Sequence, residues 1–271
     1  MSGNELYFID DSEVSMKFGF LRDLSDQVSF YAQYAEGFRA PDFQSANLSF
    51  TNYAFYYGVG TSPGLKPEES EGIEFGFKGA TENTSWTLSF YDNEYTDFID
   101  TYIKGRSPQG ITLYEYGNLD EVEIKGVEFE MNTDISDNLQ ASFGFSIPEG
   151  SMNGEQLVSI EPEEAILGLF WDAGKLNLSG YASFTAGSHD NLPPSCGRSG
   201  CNPLLTLSGL TTYDLYGSYE ITPNLKLRFA IKNITDESYW NWSSVKGKSA
   251  NDANLDLFMN PGRNTSVGLK Y

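Results

Sequence analysis

Apolar and polar residues alternate with a period of two along most of the chain. In residues 73–78, for example, an isoleucine and two phenylalanines alternate with Glu, Gly and Lys. This is the period of a β-strand with two different faces, and the helical period is almost absent. The strands predicted from this pattern are residues 14–20, 28–34, 73–78, 86–90, 127–131, 139–145, 164–171, 176–184, 213–221, 225–231 and 265–271. The sequence therefore predicts an all-β protein with about eleven strands.

The connections between these strands alternate between short and long. Short turns are predicted at residues 23–26, 79–84, 133–138, 172–175 and 223–224. Long loops are predicted at residues 37–70, 98–113, 148–163, 187–209 and 236–262. Tight turns at one end and long loops at the other are typical of an antiparallel transmembrane β-barrel of the bacterial outer membrane. The strands of a soluble β-sandwich also alternate apolar and polar residues, but nothing in that fold requires every long loop to lie at one end.

Composition and charge narrow the possible functions. The 271 residues carry a formal net charge of −21, which argues against nucleic acid as a partner. No apolar run approaches the roughly 18 residues of a transmembrane helix. The first five residues lack the basic and apolar regions of a secretory signal, which taken literally predicts a cytoplasmic chain. That expectation conflicts with the barrel pattern.

An odd number of strands does not close into a barrel in the usual bacterial pattern, where strand numbers are even. An open half would leave two unpaired edges in lipid, which a bilayer does not tolerate. We therefore expect residues 1–271 to be the C-terminal part of a larger barrel. The alternatives are a truncated or split-gene fragment without a transport role and a soluble sandwich.

Several short motifs resemble TonB-dependent outer-membrane receptors, in the order and spacing of that family. They are residues 31–41 (YAQYAEGFRAP), 65–70 (LKPEES), 116–118 (YGN), 124–128 (IKGVE), 233–240 (NITDESYW) and 261–263 (PGR). Residues 38–41 and 239–247 most resemble the haem and haemoglobin receptor branch. The resemblance implies a barrel of about 22 strands around a plug, of which this chain supplies half.

The same resemblance implies uptake of haem or haem-protein iron through the outer membrane of a Gram-negative bacterium. The long loops would bind ligand, and no cofactor would be permanently bound. Energy would come from the TonB–ExbB–ExbD system through a plug that is absent from this chain. Two departures keep a siderophore or other metal-chelate receptor open as the alternative. Residues 42–64 contain no histidine, and the segment before Lys66 reads Ser-Pro-Gly-Leu where the family usually has Asn-Pro-X-Leu.

Candidate ligand-binding residues lie in the long loops. Arg39 could contact ligand carboxylates or hold the base of its loop. An aromatic cluster follows, where a tyrosinate could ligate haem iron or the rings could pack loop against loop. His189 is either an axial ligand or a solvated loop residue. The members of the aromatic cluster are Phe50, Tyr53, Phe55, Tyr56 and Tyr57.

Two further features of the loops carry predictions. Cys196 and Cys201 are separated by four residues, two of them glycine, which suits a disulfide-closed loop in an oxidising compartment. The acidic loops could bind calcium or a basic partner, or form a solvated surface; their residues include Glu149, Glu155, Glu161, Glu163 and Glu164. We expect no enzymatic activity, since the only histidine has no Gly-x-Ser-x-Gly elbow nearby.

Overall fold

The computed structural model describes residue 7 and residues 12–119, 121–188, 195–197 and 200–271. The strands, in chain order, are β1 (Lys17–Asp23), β2 (Val28–Arg39), β3 (Phe50–Asn52), β4 (Tyr57–Val59), β5 (Glu68–Ala80), β6 (Thr84–Thr96), β7 (Phe98–Arg106), β8 (Thr112–Leu119), β9 (Val122–Ser136), β10 (Leu139–Met152), β11 (Glu155–Gln156), β12 (Glu164–Ala173), β13 (Leu176–Thr185), β14 (Ser195–Gly197), β15 (Gly200–Asn202), β16 (Leu210–Thr222), β17 (Leu225–Lys232) and β18 (Asn264–Lys270). Two short α-helices, α1 (Phe43–Asn47) and α2 (Trp242–Val245), and a 3₁₀ helix at Leu255–Phe258 lie in the loops. No helix of the described residues is both long and apolar enough to cross a membrane.

Eleven of these strands form one open antiparallel wall. Its order is β1-β2-β5-β6-β9-β10-β12-β13-β16-β17-β18, and β11 adds a short pair beside β10. Every predicted strand corresponds to one wall strand, so the prediction of an all-β fold with about eleven strands is confirmed. The alternation of tight turns and long connections is confirmed as well, since the long connections all follow strands of the same direction.

The wall has one apolar and one polar face. On the apolar face, Phe75 stacks on Phe90 at 5.2 Å between ring centres, and Phe30 packs against Phe77 at 5.4 Å. These are cross-strand neighbours, the unit by which sheets are stabilised. Phe75 nevertheless remains 43% exposed. Large apolar side chains left exposed across a whole sheet face fit a lipid environment rather than water.

The opposite face of the same strands carries hydrogen-bonded polar groups. The Tyr31 hydroxyl donates to Glu74 Oε1 at 2.7 Å, and Gln33 Nε2 donates to Glu74 Oε2 at 2.6 Å. Lys78 Nζ lies 4.7 Å from the centre of the Tyr31 ring. We call this polar side the inner face and the apolar side the outer face, because a barrel wall places its polar residues toward the lumen.

The most deeply buried apolar residues lie in the loops and at the loop ends of strands, away from the middle of the wall. Val245 is fully buried and Trp242 is 3% exposed, and both belong to the connection after β17. Ala46 and Ile111 are similarly buried in two other long connections. The long loops therefore form packed structure of their own above the wall.

Several of the predicted element ends were wrong, as residues 98–113 and the first strand illustrate. Residues 98–113 were predicted to be a loop, but they contain β7 and the start of β8. The first strand was predicted at residues 14–20 and lies instead at Lys17–Asp23. In both places the pairing partner decides the bounds, since β1 extends only where it meets β2 and β7 only where it meets β8.

Candidate functional site

A small four-stranded sheet covers one part of the long-loop end of the wall. Its order is β3-β4-β8-β7, and we call it the loop sheet. β4 pairs with β8 in parallel, whereas β3–β4 and β7–β8 are antiparallel hairpins. The loop sheet thus joins two long connections that are distant in sequence, which makes it a folded unit rather than two independent loops.

The β3–β4 hairpin presents the aromatic cluster predicted from the sequence. Asn52 Oδ1 accepts hydrogen bonds from Ala54 N at 3.1 Å and Phe55 N at 3.2 Å, which closes the turn. Tyr56 takes a positive φ of 53°, as the tight reversal requires. We call residues 50–59 the aromatic hairpin. Its turn is fixed by side-chain and backbone geometry, so its rings project from a defined position.

The rings of the aromatic hairpin differ in exposure. Tyr53 is 74% and Phe55 is 78% exposed at the tip, whereas Tyr57 is half-buried edge-to-face against Phe50, at 5.6 Å between ring centres. Tyr56 is exposed between them. The structure therefore brings the five predicted aromatics together and splits them into an outward tip and a packed base.

The loop sheet is anchored by Asn118, the last residue of the motif at 116–118, for which the sequence predicted no individual role. Its side-chain amide donates to Lys66 O at 2.9 Å and to Asp97 O at 2.6 Å. Its side-chain oxygen accepts from Lys66 N at 2.8 Å. Lys66 Nζ also pairs with Asp97 at 3.1 Å. One side chain thus joins the ends of two long connections at the point where both leave the wall.

Arg39 anchors the same region from the neighbouring strand. Its Nη2 donates to Glu68 Oε1 at 2.6 Å, and Glu68 also accepts the backbone N–H of Ile99 at 2.6 Å. Glu68 is only 8% exposed, so the guanidinium neutralises a buried carboxylate. Arg39 was predicted either to contact ligand carboxylates or to hold the base of its loop, and in the structure it bonds Glu68 at that base. Contact between Arg39 and a ligand stays a prediction.

The polar groups of the loop sheet satisfy one another. Lys104 pairs with Glu115 across β7 and β8, and this hydrogen bond raises the pKa of the lysine. Asp42 caps α1 by accepting from Ser45 N at 2.6 Å, and this hydrogen bond lowers the pKa of the carboxyl. The loop sheet and the neighbouring α1 thus satisfy several of their charged groups locally, while the large side chains most exposed at the hairpin tip, Tyr53 and Phe55, are aromatic.

The remaining predicted site residues lie farther along the chain. Cys196 and Cys201 are directly opposite each other in the antiparallel pair β14–β15, and their disulfide stays a prediction. His189 lies outside the described residues. Within the described ranges, no group of three or more His, Cys, Asp or Glu side chains is arranged to hold a metal ion.

A second structure at the long-loop end was not predicted from the sequence. A cavity of about 490 Å³ lies between the ends of β12, β13 and β16 and the connection after β17. We call it the loop pocket, lined by residues within 161–164, 185–186, 206–210 and 237–243. The sequence drew attention to residues 239–247 only as a motif, because nothing local indicates that they meet residues 161–164.

Comparison with known proteins identifies a family with this architecture. The family model described as "TonB dependent receptor-like, beta-barrel" matches residues 3–234. The chain is 24% identical to the "Hemoglobin and hemoglobin-haptoglobin-binding protein A" of Haemophilus influenzae, over 96% of this chain and 27% of that protein. The chain thus spans about a quarter of the length of this relative.

Solved structures match the wall and its loops in the same way. The FrpB iron transporter from Neisseria meningitidis superimposes with a TM-score of 0.74 at 14% identity, over 96% of this chain and 39% of that one. The ferric enterobactin receptor PfeA from Pseudomonas aeruginosa gives a TM-score of 0.74 at 20% identity, over 94% of this chain and 40% of that one. At these identities the likeness concerns the fold alone.

Proposed function

Because the chain belongs to the TonB-dependent receptor β-barrel family, we propose that it forms the C-terminal half of an outer-membrane receptor for TonB-dependent uptake. The observation that carries this proposal is the wall itself, with an apolar outer face, a hydrogen-bonded polar inner face and every long connection at one end. An apolar outer band suits lipid, and packed loops at one end suit a receptor mouth.

The edges of the wall support completion by further strands. β1 and β18 are exposed along their whole length and each pairs on one side only. Because eleven strands alternate in direction, β1 and β18 run the same way and are not antiparallel partners for each other. Further strands would supply the missing antiparallel partners, for a total of about 22. We call this chain together with those strands and a plug the assembled receptor.

We propose haem or a haem protein as the ligand of the assembled receptor. The Haemophilus relative is named for haemoglobin binding, and the exposed rings of the aromatic hairpin suit a flat, apolar macrocycle. In this proposal the hairpin touches the ligand, and no cofactor is permanently bound to the chain. The energy comes from the TonB–ExbB–ExbD system through the plug, and the chain has no catalytic role.

A ferric siderophore or another metal chelate is the alternative ligand. The lack of a histidine in residues 42–64 favours it. Binding to the assembled receptor separates the two ligands, since haem gives a Soret shift and a ferric catecholate quenches tryptophan emission without one. The haem and the ferric catecholate titrations are done on the same preparation of the assembled receptor.

The test of the haem proposal removes three hydroxyls of the aromatic hairpin. Tyr53→Phe, Tyr56→Phe and Tyr57→Phe together keep the rings and remove any tyrosinate ligand. We expect haem affinity, measured by the Soret band of the assembled receptor, to fall about tenfold or more. A control, Tyr213→Phe with Tyr219→Phe, changes tyrosines on the outer face. Equal haem binding by all three proteins would exclude a tyrosinate of the aromatic hairpin as the iron ligand.

A further inference from the structure

The inner face can be followed across the wall from one register partner to the next. Starting at Tyr31, the row of partners passes through β5, β6, β9, β10, β12 and β13 to Leu210 in β16. Alternate residues of β16, including Tyr216, therefore belong to the inner face, and Tyr216 pairs with Ala230 in β17. Ala230 in turn pairs with Ser266 in β18, which fixes the inner residues of the last two strands.

The last two strands place four cations on this inner face. Lys226, Arg228 and Lys232 are the alternate residues of β17 on either side of Ala230, and Lys270 of β18 is the register partner of Lys226. Lys232 lies at the long-loop end of β17, and Lys226 lies beside the short turn at the other end. The four side chains thus form a line along the whole length of these strands, which we call the basic track.

Three of the four cations of the basic track have no ion-pair partner in the described part of the chain. Lys226 Nζ lies 3.8 Å from Glu220 Oε2, whereas Arg228, Lys232 and Lys270 take part in no ion pair there. Lys226 and Lys270 are also directly opposite each other in the register, and like charges in that position destabilise a sheet. An anion from outside the chain would relieve this repulsion and pair with the free cations.

The inner face has the opposite charge in the part of the wall from β5 to β10. Glu128, Glu130 and Asp134 are inner residues of β9. Lys78 is the only cation on the inner faces of the described strands β5, β6, β9 and β10, and its Nζ lies over the Tyr31 ring. An anion that enters between the long loops is therefore repelled by this part of the wall and attracted by the basic track.

A line of aromatic rings lies beside the basic track. Phe170, Tyr181 and Tyr216 follow one another on the inner faces of β12, β13 and β16, edge to face at 5.5 Å and 5.8 Å between ring centres. We call these three rings the aromatic ladder. Lys232 Nζ lies 5.9 Å from the centre of the Tyr216 ring, so the ladder meets the track there. Rings next to cations suit a flat aromatic ligand that carries carboxylates.

An open space lies where the aromatic ladder meets the basic track. A cavity of about 530 Å³ is lined mostly by inner-face residues, among them Tyr216 and Arg228. Ala230, Ser266 and Gly268 also line it, and a Cβ built on Gly268 would meet no atom within 4 Å. Small side chains thus leave room for a planar ring between the tyrosine and the guanidinium group.

We propose that haem passes through the assembled receptor along the basic track and the aromatic ladder. Its propionate carboxylates pair in turn with Lys232, Arg228 and Lys270, while its ring contacts the ladder. This inference rests on the proposed function, which supplies the ligand and its entry between the long loops. It deepens that function by naming the side of the lumen that the ligand follows, because the aromatic hairpin accounts only for capture at the loops.

The test removes three charges of the basic track from the assembled receptor, in cells that have no other haem receptor. The track variant carries Arg228→Gln, Lys232→Gln and Lys270→Gln, and it leaves Lys226 with Glu220. We expect the initial rate of haem uptake to fall about tenfold, because three ion pairs along the path are lost. Haem binding at the surface of cells without an energy supply should not change, since the aromatic hairpin is intact.

Two matched variants separate the loss of charge on the track from general damage. The control variant carries Arg22→Gln on the outer face, Lys175→Gln in a short turn and Lys246→Gln in a long connection. It should take up haem at the rate of the unmodified receptor. The charge-retaining variant exchanges Arg for Lys and Lys for Arg at the three track positions, and it should keep most of the uptake. Equal haem uptake by the track and control variants would overturn the proposal.

Haem dimethyl ester tests whether the basic track meets the ligand or another part of the receptor. Esterification removes the carboxylate charges and keeps the ring. The unmodified receptor should take up the ester about tenfold more slowly than haem, and the track variant should show no further loss. Uptake of the ester as fast as that of haem by the unmodified receptor would overturn the proposal. Equal slowing of both ligands in the track variant would also overturn it, and would point to contact between the track and the plug.

These measurements separate the failure of this inference from the failure of the proposed function. An unmodified receptor that neither binds nor takes up haem would contradict both. An unmodified receptor that takes up haem, with a track variant that takes it up equally fast, would contradict the path along the basic track alone.

Discussion

The loop sheet and the loop pocket occupy the same end of the wall but handle charge in opposite ways. In the loop sheet and at its anchors on the wall, Lys104, Arg39 and Lys66 each pair with a carboxylate. In the loop pocket, none of the three lining glutamates has an ion-pair partner among the described residues. Aromatic rings are exposed at the tip of the first and half-buried or buried in the second.

This difference shows how one acidic chain can present two kinds of surface. Where charges neutralise one another, the remaining exposed chemistry is apolar, as at Tyr53 and Phe55. Where carboxylates have no ion-pair partner among the described residues, as at the three glutamates of the loop pocket, the surface is acidic. The overall charge of −21 therefore does not describe either surface by itself.

The largest expected effect comes from removing the packing under the loop pocket. Trp242 is 3% exposed, so Trp242→Ala should cost about 3–5 kcal/mol of local stability. We expect hydrogen exchange to accelerate at residues 157–163 and to stay unchanged in the loop sheet. Trp242→Phe keeps most of the packing and loses one hydrogen bond, which is worth about 1 kcal/mol. Acceleration in both regions would show that they are one unit and would break the comparison.

A smaller effect is expected from the anchor of the loop sheet. Glu68→Ala leaves Ile99 N and the Arg39 guanidinium without their acceptor, at a cost of roughly 1–3 kcal/mol. Limited proteolysis should then cleave residues 97–111 faster, while residues 157–163 stay protected. Glu69→Ala is the matched control, since it removes the same charge from the exposed neighbouring position. Similar cleavage of the two variants would argue against the buried anchor.

The smallest expected effect concerns the cap of α1. Asp42→Ala removes the acceptor for Ser45 N, which costs about 1 kcal/mol. Because that hydrogen bond lowers the pKa of Asp42, its stabilisation is present above the ordinary carboxyl range and is lost as pH falls through the lowered pKa. Amide exchange at Ser45, corrected for the intrinsic pH dependence, should follow this loss. Asp42→Asn should keep the cap and abolish the pH dependence, and an unchanged titration in that variant would exclude Asp42 as the source.

The wall was predictable because each strand has an apolar outer face and a polar inner face. Apolar and polar residues therefore alternate along its sequence with a period of two. Predicted strands were too short where this alternation between apolar and polar residues ends. β10 was predicted to end at residue 145 and continues to Met152, since residues 146–152 rise into the loop region and no longer alternate clearly. Pairing with β9 holds this extension in place.

The loop structures were not predictable, because their partners are distant in sequence. β3 and β4 have three residues each, too few to carry a period, and β4 finds its parallel partner β8 more than fifty residues later. Trp242 meets Val158 across 84 residues. The aromatic cluster could be recognised from the many aromatic residues in one short segment. Its division into an exposed tip and a packed base depends on the pairing of strands that are distant in sequence.

The central claim, a barrel wall between lipid and lumen, is tested most directly by a spin-label scan of residues 73–78. Single cysteines are introduced into the assembled receptor with Cys196 and Cys201 replaced, and the labels are relaxed in bilayers by oxygen or by a water-soluble nickel chelate. Labels at Ile73, Phe75 and Phe77 should respond to oxygen, and labels at Glu74, Gly76 and Lys78 should show little oxygen response. Equal access of the nickel chelate to both sets would contradict a lipid-facing wall.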